Sequence, residues 1–157
     1  MHKVFLGLGS NMGDRQLFIE KALKALEDDE HITIISTSSF MEYEAEKRPK
    51  EHKFLNGVVK ILTNDTPLEL LHKAEEIERK LGRELKGAYQ ARTIDIDILL
   101  FDEEVILEDD LTIPHPLMHE RIFVMEPLNE IAPEAFHPIL GKNAATIYRA
   151  LVEGREA

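Results

Sequence analysis

The hydrophobic positions of this chain predict six elements in the order strand, helix, strand, strand, helix, strand. Strands are predicted over residues 4–8 and 32–39, and alternating apolar residues predict two more over 54–63 and 94–100. Apolar residues recur at intervals of three and four, as in a helix, over residues 17–26 and 67–81. Two successive strands without a helix between them predict antiparallel pairing, with the helices packed on the sheet. The pattern indicates an α+β fold with a ferredoxin-like βαββαβ antiparallel sheet.

Shorter elements and two polar loops complete the predicted chain. The second helix begins with a capping box, because Thr66 is followed by Pro67 at the first helical position and by Glu69 at the third. The remaining expectations are loops over 41–53 and 83–91, a short strand over 105–107, an extended segment over 112–116, and short helices over 117–131 and 143–153. We expect residues 1–157 to form a single domain, since the chain shows no linker or repeat.

The excess of acidic over basic residues limits the kinds of molecule that the protein is expected to bind. The chain has 19 basic and 30 acidic residues, which gives a formal net charge of −11. Nucleic acids and anionic membranes bind basic surfaces, so we expect neither as a partner. A small anionic substrate stays possible, because a few arginines and a metal ion can reverse the sign of the potential inside a cleft.

Two absences in the sequence also limit the chemistry. There is no cysteine, which excludes disulfides, thiolate catalysis and cysteine-bound zinc. The same absence suits a reducing cytoplasm, where we expect the protein. No segment reaches the roughly 18 consecutive apolar residues of a membrane-spanning helix.

Two acidic residues share one face of the fourth predicted strand. Side chains alternate along a strand, so Asp95 and Asp97 lie on the same face, with their Cα atoms roughly 7 Å apart. The opposite face is apolar and consists of Ile94, Ile96, Ile98 and Leu100. Neighbouring carboxylates repel unless a cation lies between them, and Mg²⁺ is commonly held by one or two carboxylates plus substrate phosphates. Arg92, just before the pair, is able to form paired hydrogen bonds with a phosphate. The alternative is a solvent-facing acid pair on an exposed strand.

The third predicted strand presents an aromatic ring and an amide on one face. Phe54 and Asn56 lie opposite the face of Leu55 and Val59, and together they are suited to stack on and hydrogen-bond a flat heterocycle. The alternative is that Phe54 fills the core. The glycine-rich segment 7–13 fits neither the dinucleotide nor the P-loop pattern, and it is either a tight turn or a place where the backbone approaches a ligand.

Five further residues each have a structural interpretation and a second one that applies if a phosphate binds nearby. Glu78 and Arg83 bracket the end of the second helix, where a solvated helix terminus is the simplest interpretation. His115 lies between two prolines, so either a phosphate hydrogen bond or a structural loop role fits its stiff backbone. Arg121 and Phe123 alone are a surface charge and a core aromatic. Next to a triphosphate they are a cation and a stacking plane.

Taken in order, these motifs resemble the 6-hydroxymethyl-7,8-dihydropterin pyrophosphokinase family of folate biosynthesis. The resemblance covers nearly the whole chain and is carried by residues 6–13, 54–56, 92–99, 114–116, 121–128 and 131–133. It implies a three-layer α-β-α fold with helices on both faces of the ferredoxin-like sheet. It also implies transfer of the β,γ-pyrophosphoryl group of ATP to the hydroxymethyl oxygen of the dihydropterin, with release of AMP.

The resemblance further implies roles for individual residues. Asp95 and Asp97 would hold two Mg²⁺ ions and, with Arg92 and His115, form the catalytic set. Asn56 would bind the pterin edge between the rings of Phe54 and Phe123. The ATP site would be lined by Glu78, Arg83, Arg92, Ile98, Thr112, His115 and Arg121. The partners would be these small-molecule substrates, and we expect a monomer or weak dimer.

Two loops depart from the family pattern. The family usually has a threonine and prolines after the second strand, where this chain has Glu42, Tyr43, Glu44, Ala45 and Glu46. The family often has a second arginine and a tryptophan in the loop before the catalytic strand. In the loop over 83–91 this chain has Arg83, Glu84 and Leu85, then Tyr89. Two other functions fit the same acid pair: a Mg²⁺-dependent phosphohydrolase, and a non-catalytic ligand-binding module on the same scaffold.

Overall fold

A computed structural model describes residues 1–44, 53–82 and 93–154 of the chain. The strands of the main sheet are β1 (His2–Ser10), β2 (Ile32–Thr37), β3 (Met41–Glu44), β4 (Lys53–Thr63) and β5 (Asp95–Phe101). The helices are α1 (Arg15–Asp28), α2 (Pro67–Gly82), α3 (Ile122–Ile131) and α4 (Ala144–Val152). Two short hairpins are formed by β6 (Ile106–Leu107) with β7 (Thr112–Ile113), and by β8 (Phe136–His137) with β9 (Lys142–Asn143).

The main sheet is antiparallel and has the strand order β2-β4-β1-β5, with β3 also paired to β4. The predicted antiparallel βαββαβ arrangement is therefore confirmed. The start of α2 is confirmed as well, because the Thr66 N–H donates to Glu69 Oε1 (2.8 Å) and the Glu69 N–H donates to Thr66 Oγ1 (3.2 Å). This reciprocal pair satisfies two backbone donors that a helix leaves unpaired at its first turn.

Helices cover both faces of the sheet and enclose two hydrophobic clusters. The first cluster lies between the sheet and α1 with α2, and its buried side chains include Leu6, Leu8, Ile19, Leu70, Ile96 and Ile98. The second lies between the sheet and α3 with α4, and its buried side chains include Phe5, Val58, Leu99, Met125, Leu128 and Ile147. Alternate residues of each strand therefore enter different clusters, which gives three layers.

The predicted loop over residues 41–53 is wrong at both ends. Met41–Glu44 form β3, and Lys53 opens β4 as the partner of Glu44. The pattern Met-Glu-Tyr-Glu has no apolar alternation, so its strand character comes from pairing with β4 and not from its own composition. The rest of that predicted loop lies outside the described residues.

A bulge in β5 places Leu100 on the face of the sheet opposite to the predicted one. Leu6 pairs with Ile98 and Phe5 pairs with Leu100, so Leu99 is an extra residue opposite β1. An extra residue reverses the alternation beyond it. Leu100 therefore packs in the second cluster, not with Ile98 as predicted, and Phe101 packs in the first.

The C-terminal third differs from prediction mainly in where helices break. The predicted helix over 117–131 is divided into a 3₁₀ turn, Met118–Glu120, and α3, because Arg121 between them has extended backbone angles (φ −111°, ψ 112°). The β8–β9 hairpin was not predicted, since strands of two residues leave no periodic signal. In the described parts of the chain, no helix combines the length and apolar character needed to cross a bilayer.

His137 gives a pH-dependent contribution to the stability of this fold. Burial, aided by the nearby His119, lowers the pKa of His137 below its ordinary value, and its Nδ1 accepts a hydrogen bond from the Leu140 N–H (3.1 Å). Below about pH 6.5 the unfolded chain takes up a proton that the folded imidazole resists. The free energy of unfolding should therefore fall as the pH drops from about 6.5 towards the lower pKa of the folded state.

His137→Asn tests this dependence. An asparagine oxygen can replace Nδ1 as the acceptor but does not titrate. Urea unfolding between pH 7 and 5 should show a smaller loss of stability in His137→Asn than in the unsubstituted protein. The exposed His72 on α2 provides the control His72→Asn. Equal pH slopes for the unsubstituted protein and His137→Asn would contradict the prediction.

Candidate active site

The strand register brings Asn56 and Asp95 into one row across the sheet. Gly9 of β1 pairs with Asn56 of β4 on one side and with Asp95 of β5 on the other. Neighbouring strands are about 4.8 Å apart, so the Cα atoms of Asn56 and Asp95 are separated by about 10 Å. Gly7 is likewise paired with Asp97. Gly7 and Gly9 therefore form a glycine floor, without side chains of its own, between the amide and the two carboxylates. Asn56 Nδ2 lies over Gly9, and the Leu99 side chain lies over Gly7.

Gly9 allows the Asn56 side chain to lie directly over the backbone of β1. A Cβ atom at position 9 would be 2.5 Å from Asn56 Nδ2, which is closer than side chains approach one another. The Asn56 Oδ1 atom is buried and has no hydrogen-bond partner among the described residues. A buried amide oxygen without a partner loses its hydration without compensation, so it is an acceptor available to a ligand.

Aromatic side chains lie beside this amide. Phe54 is half-buried and pairs across the strands with Tyr43 of β3. The centroids of the Tyr43 and Phe123 rings are 6.3 Å apart, and the planes of the two rings are tilted by 54° to each other. Strand alternation puts Phe54 on the same face as Asn56. The structure therefore brings together the three residues predicted to bind a heterocycle, Phe54, Asn56 and Phe123, and adds Tyr43 to them.

Arg121 and His115 provide polar groups next to the acid pair. The Arg121 guanidinium lies 5.5 Å from the centre of the Phe123 ring. The His115 N–H donates to the carbonyl of Leu99 (3.0 Å), so the bulge of β5 holds the loop that presents the imidazole. Phe123 packs against the second cluster, so its contact places Arg121 on the side of the sheet covered by α3. The nearby charges of Asp97 and Arg121 place the His115 imidazole on the same side.

Burial lowers the pKa of His115 below its ordinary value. The negative charge of Asp97 opposes this shift, and the positive charge of Arg121 adds to it. The imidazole is therefore neutral at pH 7. Its Nδ1 accepts a hydrogen bond from the Leu117 N–H (3.4 Å), which leaves the proton on Nε2. His115 is thus able to donate a hydrogen bond to an anion without carrying a charge of its own.

Glu78 and Ile98 lie on the other side of β5. Glu78 Oε2 accepts a hydrogen bond from the Ile96 N–H (2.8 Å), so the carboxylate is held at the outer edge of β5. The Ile98 side chain is only 5% exposed and packs in the first cluster, away from the face of Asp95 and Asp97. Its backbone faces the same outer edge as that of Ile96, because backbone groups two residues apart point the same way.

The remaining predicted residues are less closely joined to the acid pair. Thr112 is half-buried in β7, where it pairs with Leu107. Arg83 and Arg92 lie outside the described residues, as does most of the loop between them. The structure therefore gathers Asp95, Asp97, His115 and Arg121, and it leaves Glu78, Ile98 and Thr112 at or beyond the edge strand.

The acid pair fits a hard divalent cation. Asp97 is exposed, Asp95 is half-buried, and both project from β5 beside the glycine floor. Carboxylate oxygens are the ligands that Mg²⁺ prefers, and Mg²⁺ usually keeps positions for water and phosphate oxygens. Two protein carboxylates beside the glycine floor provide such a donor set.

Sequence reasoning missed Tyr43 and the role of Gly9. Tyr43 was assigned to a loop, and its link to the site depends on β3 pairing with β4. Gly9 was assigned to a tight turn after the first strand, whereas β1 continues to Ser10. The signal that was available is the spacing of Gly7 and Gly9, since glycines two residues apart clear one face of a strand.

Comparison with known proteins identifies the relatives of this arrangement. The family model described as 7,8-dihydro-6-hydroxymethylpterin-pyrophosphokinase (HPPK) matches residues 5–133. A protein of Aquifex aeolicus named 2-amino-4-hydroxy-6-hydroxymethyldihydropteridine pyrophosphokinase is 43% identical over 142 residues, which cover 90% of this chain and 88% of that protein. A Bacillus subtilis protein of the same name is 39% identical over 130 residues, covering 83% of this chain and 78% of that protein.

A solved structure shows the same fold. The crystal structure of wild-type Plasmodium falciparum HPPK-DHPS superposes with a TM-score of 0.73 at 19% identity. The superposition covers 97% of this chain and 45% of that longer chain. The ferredoxin-like α+β fold predicted from the element order is thereby confirmed.

Gly9→Ala should displace the Asn56 amide. The added methyl group would meet Nδ2, whereas at Gly7 it would meet only the Leu99 side chain at an ordinary 3.5 Å. The Asn56 amide is the end of a flexible, half-buried side chain, so it can turn away from the new methyl group at a small cost in stability. We therefore expect Gly9→Ala to unfold in urea close to Gly7→Ala, but with a shift of the Asn56 side-chain amide signals in NMR spectra that Gly7→Ala does not show.

Gly7→Ala is the matched control for this substitution. Both changes reduce the backbone freedom of the unfolded chain equally, so that contribution cancels in the comparison. Unchanged Asn56 signals in Gly9→Ala would show that the amide does not occupy the space above Gly9.

Proposed function

This chain belongs to the 7,8-dihydro-6-hydroxymethylpterin-pyrophosphokinase family of folate biosynthesis, and we propose that Asp95, Asp97 and Asn56 form the centre of its active site. The reaction transfers the β,γ-pyrophosphoryl group of ATP to the hydroxymethyl oxygen of 6-hydroxymethyl-7,8-dihydropterin and releases AMP. The observation that carries the proposal is the row in which Gly9 separates Asn56 from Asp95. A heterocycle bound at Asn56 extends across Gly9 towards the carboxylates.

Asn56 and two aromatic rings bind the pterin in this proposal. The unpaired Oδ1 of Asn56 accepts hydrogen bonds from the N–H groups along the edge of the pterin ring. Phe54 and Phe123 stack on its faces, since flat heterocycles and aromatic rings pack favourably. This contact fixes the ring so that its hydroxymethyl oxygen points along the row towards Asp95.

Asp95 and Asp97 would hold the two Mg²⁺ ions of this proposal. When bound, these ions would neutralise phosphate charge and lower the pKa of the attacking hydroxyl group. The protein needs no nucleophile of its own for displacement at phosphorus, because positioning and charge compensation provide the acceleration. An exposed Asp97 and a half-buried Asp95 on one strand face are consistent with this role.

His115 and the arginines bind the phosphates of ATP. The neutral His115 donates its Nε2–H to a phosphate oxygen, and Arg121 adds positive charge on the same side. Arg83 and Arg92 are proposed as further phosphate ligands on the sequence resemblance alone. Glu78, Ile98 and Thr112 line the nucleotide side of the site, along the outer edge of β5.

We further propose that the enzyme acts as a monomer or weak dimer in the cytoplasm. The row from Asn56 to Asp95 is built within one chain, so it is complete without a second copy. A sequence without cysteine suits a reducing compartment.

Asp97→Asn should reduce AMP formation by about 100-fold or more, because it removes a ligand of the ions that compensate phosphate charge. AMP release is measured with Mg²⁺, ATP and hydroxymethyl dihydropterin, and again with each of the three omitted. The unsubstituted protein should release AMP only when all three are present. Glu103→Gln, which removes an exposed carboxylate from the turn after β5, is the control and should leave the rate unchanged.

The omission series also separates the two alternative functions. AMP or phosphate release without the pterin would indicate a Mg²⁺-dependent phosphohydrolase. No release under any condition, with ligand affinity unaffected by Asp97→Asn, would indicate a non-catalytic binding module. Either outcome contradicts the proposal.

Asn56→Ala should weaken binding of the pterin specifically. Loss of a buried hydrogen bond to a ligand costs about 1–3 kcal/mol, so the KM for the pterin should rise roughly 10-fold or more. The KM for ATP should stay within about twofold, because Asn56 lies across the glycine floor from the acid pair. Asn64→Ala, at an exposed position between β4 and α2, is the control. Equal increases of both KM values would contradict the assignment.

A further inference from the structure

The segment that contains β3 is fastened to α3 at both of its ends. Before β3, the backbone N–H of Ser39 donates to both carboxylate oxygens of Glu130 (3.1 and 3.0 Å), and the Ser39 hydroxyl donates to one of them (3.1 Å). Within β3, the Tyr43 hydroxyl donates to Glu126 Oε1 (2.5 Å). Glu126 and Glu130 are one helical turn apart, so a single face of α3 holds the whole segment.

Glu126 accepts two tyrosine hydroxyl groups at once. Tyr148 of α4 donates to Oε2 (3.1 Å), while Tyr43 donates to Oε1 (2.5 Å). The two tyrosines use different carboxylate oxygens, so Oε1 still accepts from Tyr43 when the Tyr148 hydroxyl is removed. Burial, followed by the hydrogen bond and charge of Glu126, raises the pKa of Tyr43 far above its ordinary value, so the hydroxyl remains a donor.

The anchored ring borders the proposed pterin site on two sides. Across the strands Tyr43 faces Phe54, and Met41, two residues earlier, faces Asn56. On the helix side the Tyr43 ring lies 6.3 Å from Phe123. Phe123 and Glu126 are three residues apart on α3 and so lie on the same helix face. The hydroxyl bond to Glu126 therefore fixes the distance between β3 and the Phe123 ring.

We propose that Tyr43 is a positioning residue for the pterin: its hydroxyl, anchored on Glu126, holds the Phe123 ring and the β3 wall at the spacing that the heterocycle requires. This inference rests on the proposed function, since it concerns the same site. Tyr43 acts through the ring of Phe123 and the strand that carries Phe54, not through the reacting atoms.

The proposal predicts an effect on one substrate only. Tyr43 and the acid pair are separated by β4 and β1, so the nucleotide side does not depend on the Tyr43 hydroxyl. Tyr43→Phe keeps the ring and removes the bond to Glu126. We expect the KM for the pterin to rise about fivefold or more, while the KM for ATP and kcat stay within twofold.

Tyr148→Phe is the matched control. It removes the same chemical group from the same carboxylate, but on the side of α4 and away from β3. A merely structural role of the hydroxyls would change thermal stability in both variants and the kinetic constants in neither. We therefore expect the pterin KM to be unchanged in Tyr148→Phe.

Substitutions of Glu126 give a second and independent test. In Glu126→Gln the amide oxygen accepts from one tyrosine and the amide N–H donates to the other, so the bridge persists and the pterin KM should stay within twofold. Glu126→Ala should raise the pterin KM as Tyr43→Phe does. The double variant with both Tyr43→Phe and Glu126→Ala should have a pterin KM no higher than that of either single variant, because both changes remove the same hydrogen bond. This series decides the question even if Tyr43→Phe fails to fold.

The outcomes separate this inference from the proposed function. If the unsubstituted protein releases no AMP with all substrates present, the proposed function fails. If it does, and Tyr43→Phe leaves the pterin KM unchanged or raises both KM values together, only the role of Tyr43 is overturned. A rise in Glu126→Gln equal to that in Glu126→Ala would likewise overturn the bridging role.

Discussion

The antiparallel register of β1 with its two neighbours is the constraint on which the site depends. Because Gly9 pairs with Asn56 and with Asp95, the Asn56 amide and the Asp95 carboxylate lie in one row, and Asp97 follows on the same face opposite Gly7. A shift of either pairing by one residue would turn the Asn56 amide or the carboxylates to the opposite face. The hydrophobic residues that alternate with them, such as Leu8 and Ile96, are buried in the first cluster and hold that register.

The helices on the second face of the sheet position further residues of the candidate site. Helix α3 packs on the sheet through Met125 and Leu128 and in doing so positions Phe123 and Glu126 beside Tyr43 of β3. Arg121 lies just before the helix, next to the Phe123 ring. The bulge at Leu99 directs its carbonyl to the His115 N–H, which brings the imidazole beside Asp97. Helix α3 and the bulge of β5 thus both pack in the core and position polar side chains of the candidate site.

The parts of the fold and site that could be predicted are those with a local cause. The alternation around Asp95 and Asp97, the capping box at Thr66 and the opposed faces of β4 follow from residue spacing within one element. The bulge at Leu99 and the strand character of Met41–Glu44 depend on a neighbouring strand, so no single segment reveals them. The bond between Tyr43 and Glu126 joins residues 83 positions apart and is visible only in three dimensions.

The hydrogen bond from the Ile96 N–H to Glu78 has a consequence for association between molecules. In the strand order β5 is last, and the outward backbone groups of a last strand can template pairing with another chain. A helix-borne carboxylate bound to one of those groups blocks continuous ladder formation along that margin. The same contact therefore disfavours the addition of a foreign strand at this margin of the sheet.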